Sequence, residues 1–144
     1  MSDKPRTLIG LDPGASTGVA IYIGGKLNRL ETIEPWQIPR LFDGFRVDRV
    51  VFEDSHLTSF MFTTAPSRAA ALKMARNVGE VDAWCKLIVA VCDQLKIPAH
   101  SISPKQKGAK LDAKAFERLT GWASQSNQHE RDAAAVAWPY RGAV

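Results

Sequence analysis

The chain has 144 residues, 45% of them apolar and 24% charged, which suits one compact α/β domain over residues 1–144 and leaves little room for a second core. No apolar run approaches the roughly 20 residues that span a bilayer, and the N-terminus lacks the apolar core of a signal peptide, so no membrane role and a cytoplasmic setting are expected. The net charge of +4 with a pI near 9.3 permits a nucleic-acid partner without requiring one.

Thr7 to Asp12 (TLIGLD) is a short apolar run ending in a carboxylate before Pro13-Gly14, which places Asp12 at a strand end. Gly18 to Ile23 (GVAIYI) reads as a second strand. The Gly24-Gly25 turn leads to a more exposed third strand, Lys26 to Ile33, so the chain opens as an antiparallel meander. Trp36, Ile38, Leu41, Phe42 and Phe45 have the spacing of a short amphipathic helix from Pro35 to Phe45. Val50-Val51-Phe52 is apolar on both faces, as a covered central strand would be, and it ends in Glu53-Asp54. Side chains alternate along a strand, so Asp54 should point away from Glu53.

Ser55 to Pro66 reads as a loop carrying Phe60, Met61 and Phe62. Ser67 to Leu95 reads as a long helix with two apolar faces. Leu72, Ala75, Val78, Cys85, Val89 and Cys92 form the first face, and Val81, Trp84, Ile88, Val91 and Leu95 the second. One stripe is enough for an ordinary surface helix. The first face is therefore expected on the sheet, and Trp84, Ile88 and Val91 against another helix or a second copy of the chain. Cys85 and Cys92 lack flanking histidines at zinc spacing and read as reduced, buried thiols.

Ile97 to Ile102 is a fifth short strand. Lys105, Lys107, Lys110 and Lys114 then make a basic stretch that Arg68, Lys73 and Arg76 could extend. Leu111 to Thr120 is a helix closed by Gly121. Asn127 to Trp138 is the last helix, with Ser126 or Asn127 as N-cap and Pro139 as its stop. The expected fold is a five-stranded mixed sheet, an antiparallel meander plus parallel strands, flanked by helices.

Three places carry carboxylates that could act together. Asp12 and Glu53 each follow an apolar strand, and parallel neighbours bring such ends to one edge. His129 and Asp132, three apart on a helix, share a face. Gathered carboxylates repel unless a cation neutralises them, and hard oxygen donors suit Mg²⁺ or Mn²⁺.

These segments resemble the RuvC Holliday-junction resolvases of the RNase H-like superfamily. LIGLDPGASTGVAIY is similar to their opening strand, turn and second strand, and VVFEDSH to their second catalytic strand. AALKMARNVGEVDAW is similar to the following helix, and HERDAAAVAW to the closing helix. The likeness runs from about Thr7 to Trp138. It implies a metal site of Asp12, Glu53, His129 and Asp132 holding two Mg²⁺ ions, with Mn²⁺ able to substitute. Asp12 would bridge the ions, and His129 would be a ligand or proton carrier.

The implied activity is a structure-selective endonuclease that resolves four-way and other branched DNA by paired nicks, leaving 5′-phosphate ends. Two nicks need two active sites, hence a homodimer. Lys105, Lys107, Lys110, Lys114 and Arg68 would grip phosphates, while Phe60 and Phe62 would stack on opened bases. The lysine segment SPKQKGAKLDAKAF is shorter than in bacterial members and differs in its glycines, which points to a phage-type member in a host cytoplasm. The alternatives are a less selective nuclease for flaps or RNA–DNA hybrids, and a non-catalytic DNA-binding relative. DPGASTG is also similar to the phosphate turn of the sugar-kinase and actin superfamily, which needs a second domain to close over ATP.

Overall fold

The computed structural model describes residues 4–54 and 67–142, except that nothing is described of the Lys107 side chain. The expected loop from Ser55 to Pro66, with Phe60 and Phe62, lies outside the described residues.

Five strands form one sheet: β1 (Thr7–Asp12), β2 (Thr17–Ile23), β3 (Lys26–Ile33), β4 (Arg49–Glu53) and β5 (Ala99–Ile102), in the order β3-β2-β1-β4-β5. β1 pairs antiparallel with β2, and β2 with β3. β4 runs parallel to both β1 and β5. This is the expected mixed sheet. The turn at Gly24 and Gly25 has both residues at positive φ (59° and 81°), a conformation that costs glycine no steric penalty.

Helices cover both faces of the sheet. α1 (Arg68–Leu95) and a 3₁₀ segment (Pro35–Phe42) lie on one side, where Ile9, Leu11, Val19, Ile21, Val50 and Phe52 meet Ile38, Leu41, Cys85, Ile88 and Cys92. On the other side, α3 (Ala113–Thr120) and α4 (Gln128–Ala137) pack Phe116, Ala133, Ala134, Val136 and Ala137 against Leu8, Ala20, Tyr22, Val51 and Ile102. Strand residues thus sort strictly by alternation.

Several expectations need correction. The predicted amphipathic helix at Pro35–Phe45 is a 3₁₀ segment that ends at Phe42, with Trp36 and Phe45 exposed. Pro39, inside it, has no N–H to donate and so cannot continue an α-helical ladder. The fifth strand begins at Ala99, after Pro98, rather than at Ile97. A short helix, α2 (Pro104–Lys107), occupies the start of the basic stretch, where none was expected.

The largest correction concerns α1. Ile88, expected on an outward face, is fully buried, whereas Leu72 and Val89, expected on the sheet, are 60% and 49% exposed. The packed stripe is Val81, Cys85, Ile88 and Cys92. At 3.6 residues per turn these four positions fall within a narrow arc. The two faces read from the sequence each mixed members of that stripe with residues a quarter-turn away or, for Leu72, about half a turn away. Trp84 and Val91 are half-buried and Leu95 is exposed.

Caps follow the sequence closely. Asn127 caps α4 by accepting from the Glu130 N–H at 2.9 Å, and the Glu130 side chain accepts in return from the Asn127 N–H at 2.9 Å. Gly121 ends α3 at φ 79°, with its N–H donating to the Glu117 carbonyl.

Candidate active site

β1 alternates Leu8, Gly10 and Asp12 toward the α4 side. In β4, Val51 and Glu53 point the same way, by the same period of two. The parallel register pairs Leu11 with Phe52, so Asp12 and Glu53 follow at neighbouring strand ends. Asp54 turns to the opposite face and lines a groove with Asp82 and Cys85, as alternation requires.

What brings the third carboxylate to this edge is the close approach of α4. A methyl group at Gly18 would fall 1.9 Å from the His129 carbonyl oxygen, and one at Gly10 would fall 2.3 Å from the Ala133 carbonyl oxygen. Neither strand position tolerates a side chain while α4 lies where it does. Ala133, Ala134 and Ala137 complete the fit from the helix side, all fully buried. The Tyr22 hydroxyl donates to the Ala134 carbonyl at 2.8 Å, and burial raises that phenol above its ordinary pKa. At the N-terminus of α4, the Asn127 side-chain amide donates to Thr32 Oγ1 at 2.7 Å, tying the helix to β3.

The result is one pocket of 420 Å³ lined by Asp12, Glu53, Lys110, Gln128, His129 and Asp132, with the Pro13–Ser16 turn as a wall. Thr17, fully buried, shapes that turn: its hydroxyl donates to the Gly14 carbonyl at 2.8 Å and accepts from the Gly14 N–H at 3.3 Å. Asp132 is 5% exposed, with Oδ1 accepting from the Gln128 amide at 2.8 Å. Asp12 and Glu53 are half-buried and His129 is exposed.

Among the residues expected to contact DNA, Lys110 lines this pocket. Lys105, Lys114 and Arg68 are exposed and do not line it, and Phe60, Phe62 and the Lys107 side chain lie outside the described residues. Gln128 and Arg131 were not anticipated, although Gln128 stands four residues before Asp132, the spacing that puts two side chains on one helix face.

Three carboxylates and an imidazole around an open pocket are a hard donor set of the type that binds Mg²⁺ or Mn²⁺. Among the described residues, no three such side chains are already drawn together at one point as a cation would hold them. The fit to a divalent ion is therefore one of donor chemistry and of a nearly buried carboxylate at the pocket. A larger cavity, 570 Å³, opens around Arg6, Ile21, Arg29, Phe45 and Arg46 near the start of β1. Its one carboxylate, Asp48, already accepts from the Thr7 N–H and pairs with Arg46, so it lacks this donor set. No helix among the described residues is long and apolar enough to cross a membrane.

No protein-family model and no curated protein sequence matches this chain. Solved structures do. RuvC from T. thermophilus in complex with Holliday junction substrate superimposes with a TM-score of 0.63 at 17% identity, over 94% of this chain and 92% of that one. A second Thermus thermophilus RuvC structure gives a TM-score of 0.58 at 16% identity, over 93% and 92% of the two chains. The mixed sheet with its flanking helices is the fold of the RuvC Holliday-junction resolvases.

Proposed function

We propose that this chain is a metal-dependent endonuclease that resolves four-way DNA junctions. The observation that carries this reading is the convergence of Asp12, Glu53, His129 and Asp132 on one pocket of a RuvC-like fold. On this reading Asp12, Glu53 and Asp132 hold two Mg²⁺ ions, with Mn²⁺ as a substitute. Bound divalent ions would supply the charge that activates water and stabilises a leaving oxygen.

The chain's own groups do the rest. Lys110, at the pocket, attracts and orients the phosphate to be cut. Lys105, Lys114 and Arg68 hold flanking phosphates without reading sequence. His129, exposed at the pocket, serves either as a further donor or as the group that moves a proton at a ring nitrogen. Paired nicks require two sites, so the working unit is a homodimer, and the site of action is the cytoplasm, that of a host cell for a phage-type member. Exposed Leu72, Val89 and Leu95 are apolar surface that such an assembly could cover.

The test is to incubate the protein with labelled four-way, Y-shaped and linear duplex DNA, with and without Mg²⁺. Junction cleavage that needs Mg²⁺ is expected, as is an Asp12→Asn variant that binds the junction without cutting it. Equal cutting of all three substrates would replace this reading with a less selective nuclease. Cleavage by Asp12→Asn at the wild-type rate would remove the site.

A further inference from the structure

The pocket contains a side chain whose chemistry the proposed reaction does not use. Gln128 donates from Nε2 to Asp132 Oδ1 at 2.8 Å, and its Oε1 accepts from Arg131 Nη2 at 3.3 Å. A guanidinium can only donate, so the oxygen of the Gln128 amide must face Arg131. The amide nitrogen is thereby turned toward Asp132. Arg131 is itself immobilised: Nε donates to the Leu111 carbonyl at 2.9 Å, and Nη1 donates to the Ser126 carbonyl at 2.9 Å and to Ser126 Oγ at 3.1 Å. Leu111 directly follows Lys110, which lines the same pocket.

We propose that Gln128 and Arg131 are positioning residues for the cation site. Arg131 sets the orientation of the Gln128 amide, Gln128 sets the rotation of the Asp132 carboxylate, and the Arg131–Leu111 bond holds the Lys110 segment beside it. This rests on the metal-dependent reading of the pocket. Asp132 is almost fully buried, so with one oxygen held by Gln128 the rotation of its carboxylate is set before an ion arrives. Outer partners of this kind typically change metal affinity about 10–100-fold when removed. A lysine at position 131 would keep the charge but lose the rigid fork that reaches three partners at once.

The experiment is a calorimetric titration of the full chain with Mn²⁺ alone, comparing wild type, Gln128→Met, Gln128→Ala, Arg131→Lys and Asp12→Asn. Melting temperatures are measured in EDTA alongside. Methionine keeps the length of glutamine and lacks both the amide oxygen and the amide nitrogen. Gln128→Met and Gln128→Ala are expected to weaken Mn²⁺ binding about 10-fold or more while melting with the wild type in EDTA. Their junction cleavage should recover as Mn²⁺ is raised, because affinity rather than turnover is lost. Arg131→Lys should weaken binding in the same direction. Wild-type Mn²⁺ affinity in both Gln128 variants, with affinity lost in Asp12→Asn, would overturn the positioning role and leave the site standing. Wild-type affinity in Asp12→Asn would overturn the site and the positioning role together.

Discussion

α1 and α4 anchor to the same sheet in opposite ways. α1 has 28 residues, yet its buried side chains are Cys85, Ile88 and Cys92, all in its C-terminal half. α4 has 10 residues and buries Asp132, Ala133, Ala134, Val136 and Ala137. The long helix meets the sheet through the side chains of Cys85, Ile88 and Cys92 and leaves most of its length unburied. The short helix comes close to the strand backbones, with Ala133 and Ala137 over Gly10 and the His129 carbonyl over Gly18. Close packing of small residues permits little sliding or rotation, and the pocket carboxylate and imidazole ride on that helix. Placement, more than length, decides which helix can carry chemistry.

The largest effect is expected at Ile88. An aspartate there would bury an unpaired charge in the α1 core, and a loss of stability on the order of 4–5 kcal/mol or outright unfolding is expected. Urea unfolding followed by circular dichroism measures it. A folded Ile88→Asp protein with wild-type stability would return this residue to the surface.

Gly18→Ala attacks the other helix. The added methyl must displace α4 from the His129 carbonyl, at a cost of about 1–3 kcal/mol for overpacking. Activity should suffer more than stability, because a shift of about 1 Å at a reacting group costs on the order of 100-fold in rate. Junction cleavage measured beside thermal unfolding separates the two. Equal activity in the variant would mean that α4 need not lie this close.

Leu72→Ser probes the exposed half of α1. As a solvated surface change it should alter stability by no more than about 0.5 kcal/mol. A larger loss, together with a smaller sedimentation coefficient, would show that a second copy of the chain covers this part of the helix.

A separate effect is alkaline. Burial first, then the neighbouring Asp54 and Asp82, pushes the Cys85 thiol from an ordinary 9.0 up to about 12. Burial alone pushes Cys92 up to about 11. Both thiols stay neutral in the folded chain while an unfolded chain ionises them from about pH 9. Their contribution to stability is therefore complete below that pH and is lost as pH rises toward the folded values. Cys85→Ala/Cys92→Ala, though less stable at neutral pH, should lose stability less steeply between pH 9 and 11. Parallel slopes would show that the thiols are not the cause.

Local signals in the sequence determined most of the strands and helix ends. Alternation along TLIGLD and VVFE, the double glycine turn, the Asn127–Glu130 box and Gly121 each act within a few residues, and each appears in the structure where its chemistry places it. The same alternation brought Asp12 and Glu53 to one face and sent Asp54 to the other, while the three-residue spacing kept His129 and Asp132 together.

The sheet-facing arc of α1 was not legible, because an apolar side chain carries no mark of which neighbour will cover it, and two overlapping stripes fit the same sequence. The 3₁₀ form of Pro35–Phe42 hung on Pro39, whose missing donor outweighed an amphipathic spacing. The amide bridge from Arg131 through Gln128 to Asp132 depends on the Leu111 carbonyl, 20 residues back along the chain, arriving beside α4. Nor did Gly10 and Gly18 announce their purpose. A glycine in a strand signals that something approaches closely, but only the folded chain decides that the visitor is α4 and that the closeness sets Asp132 beside Asp12.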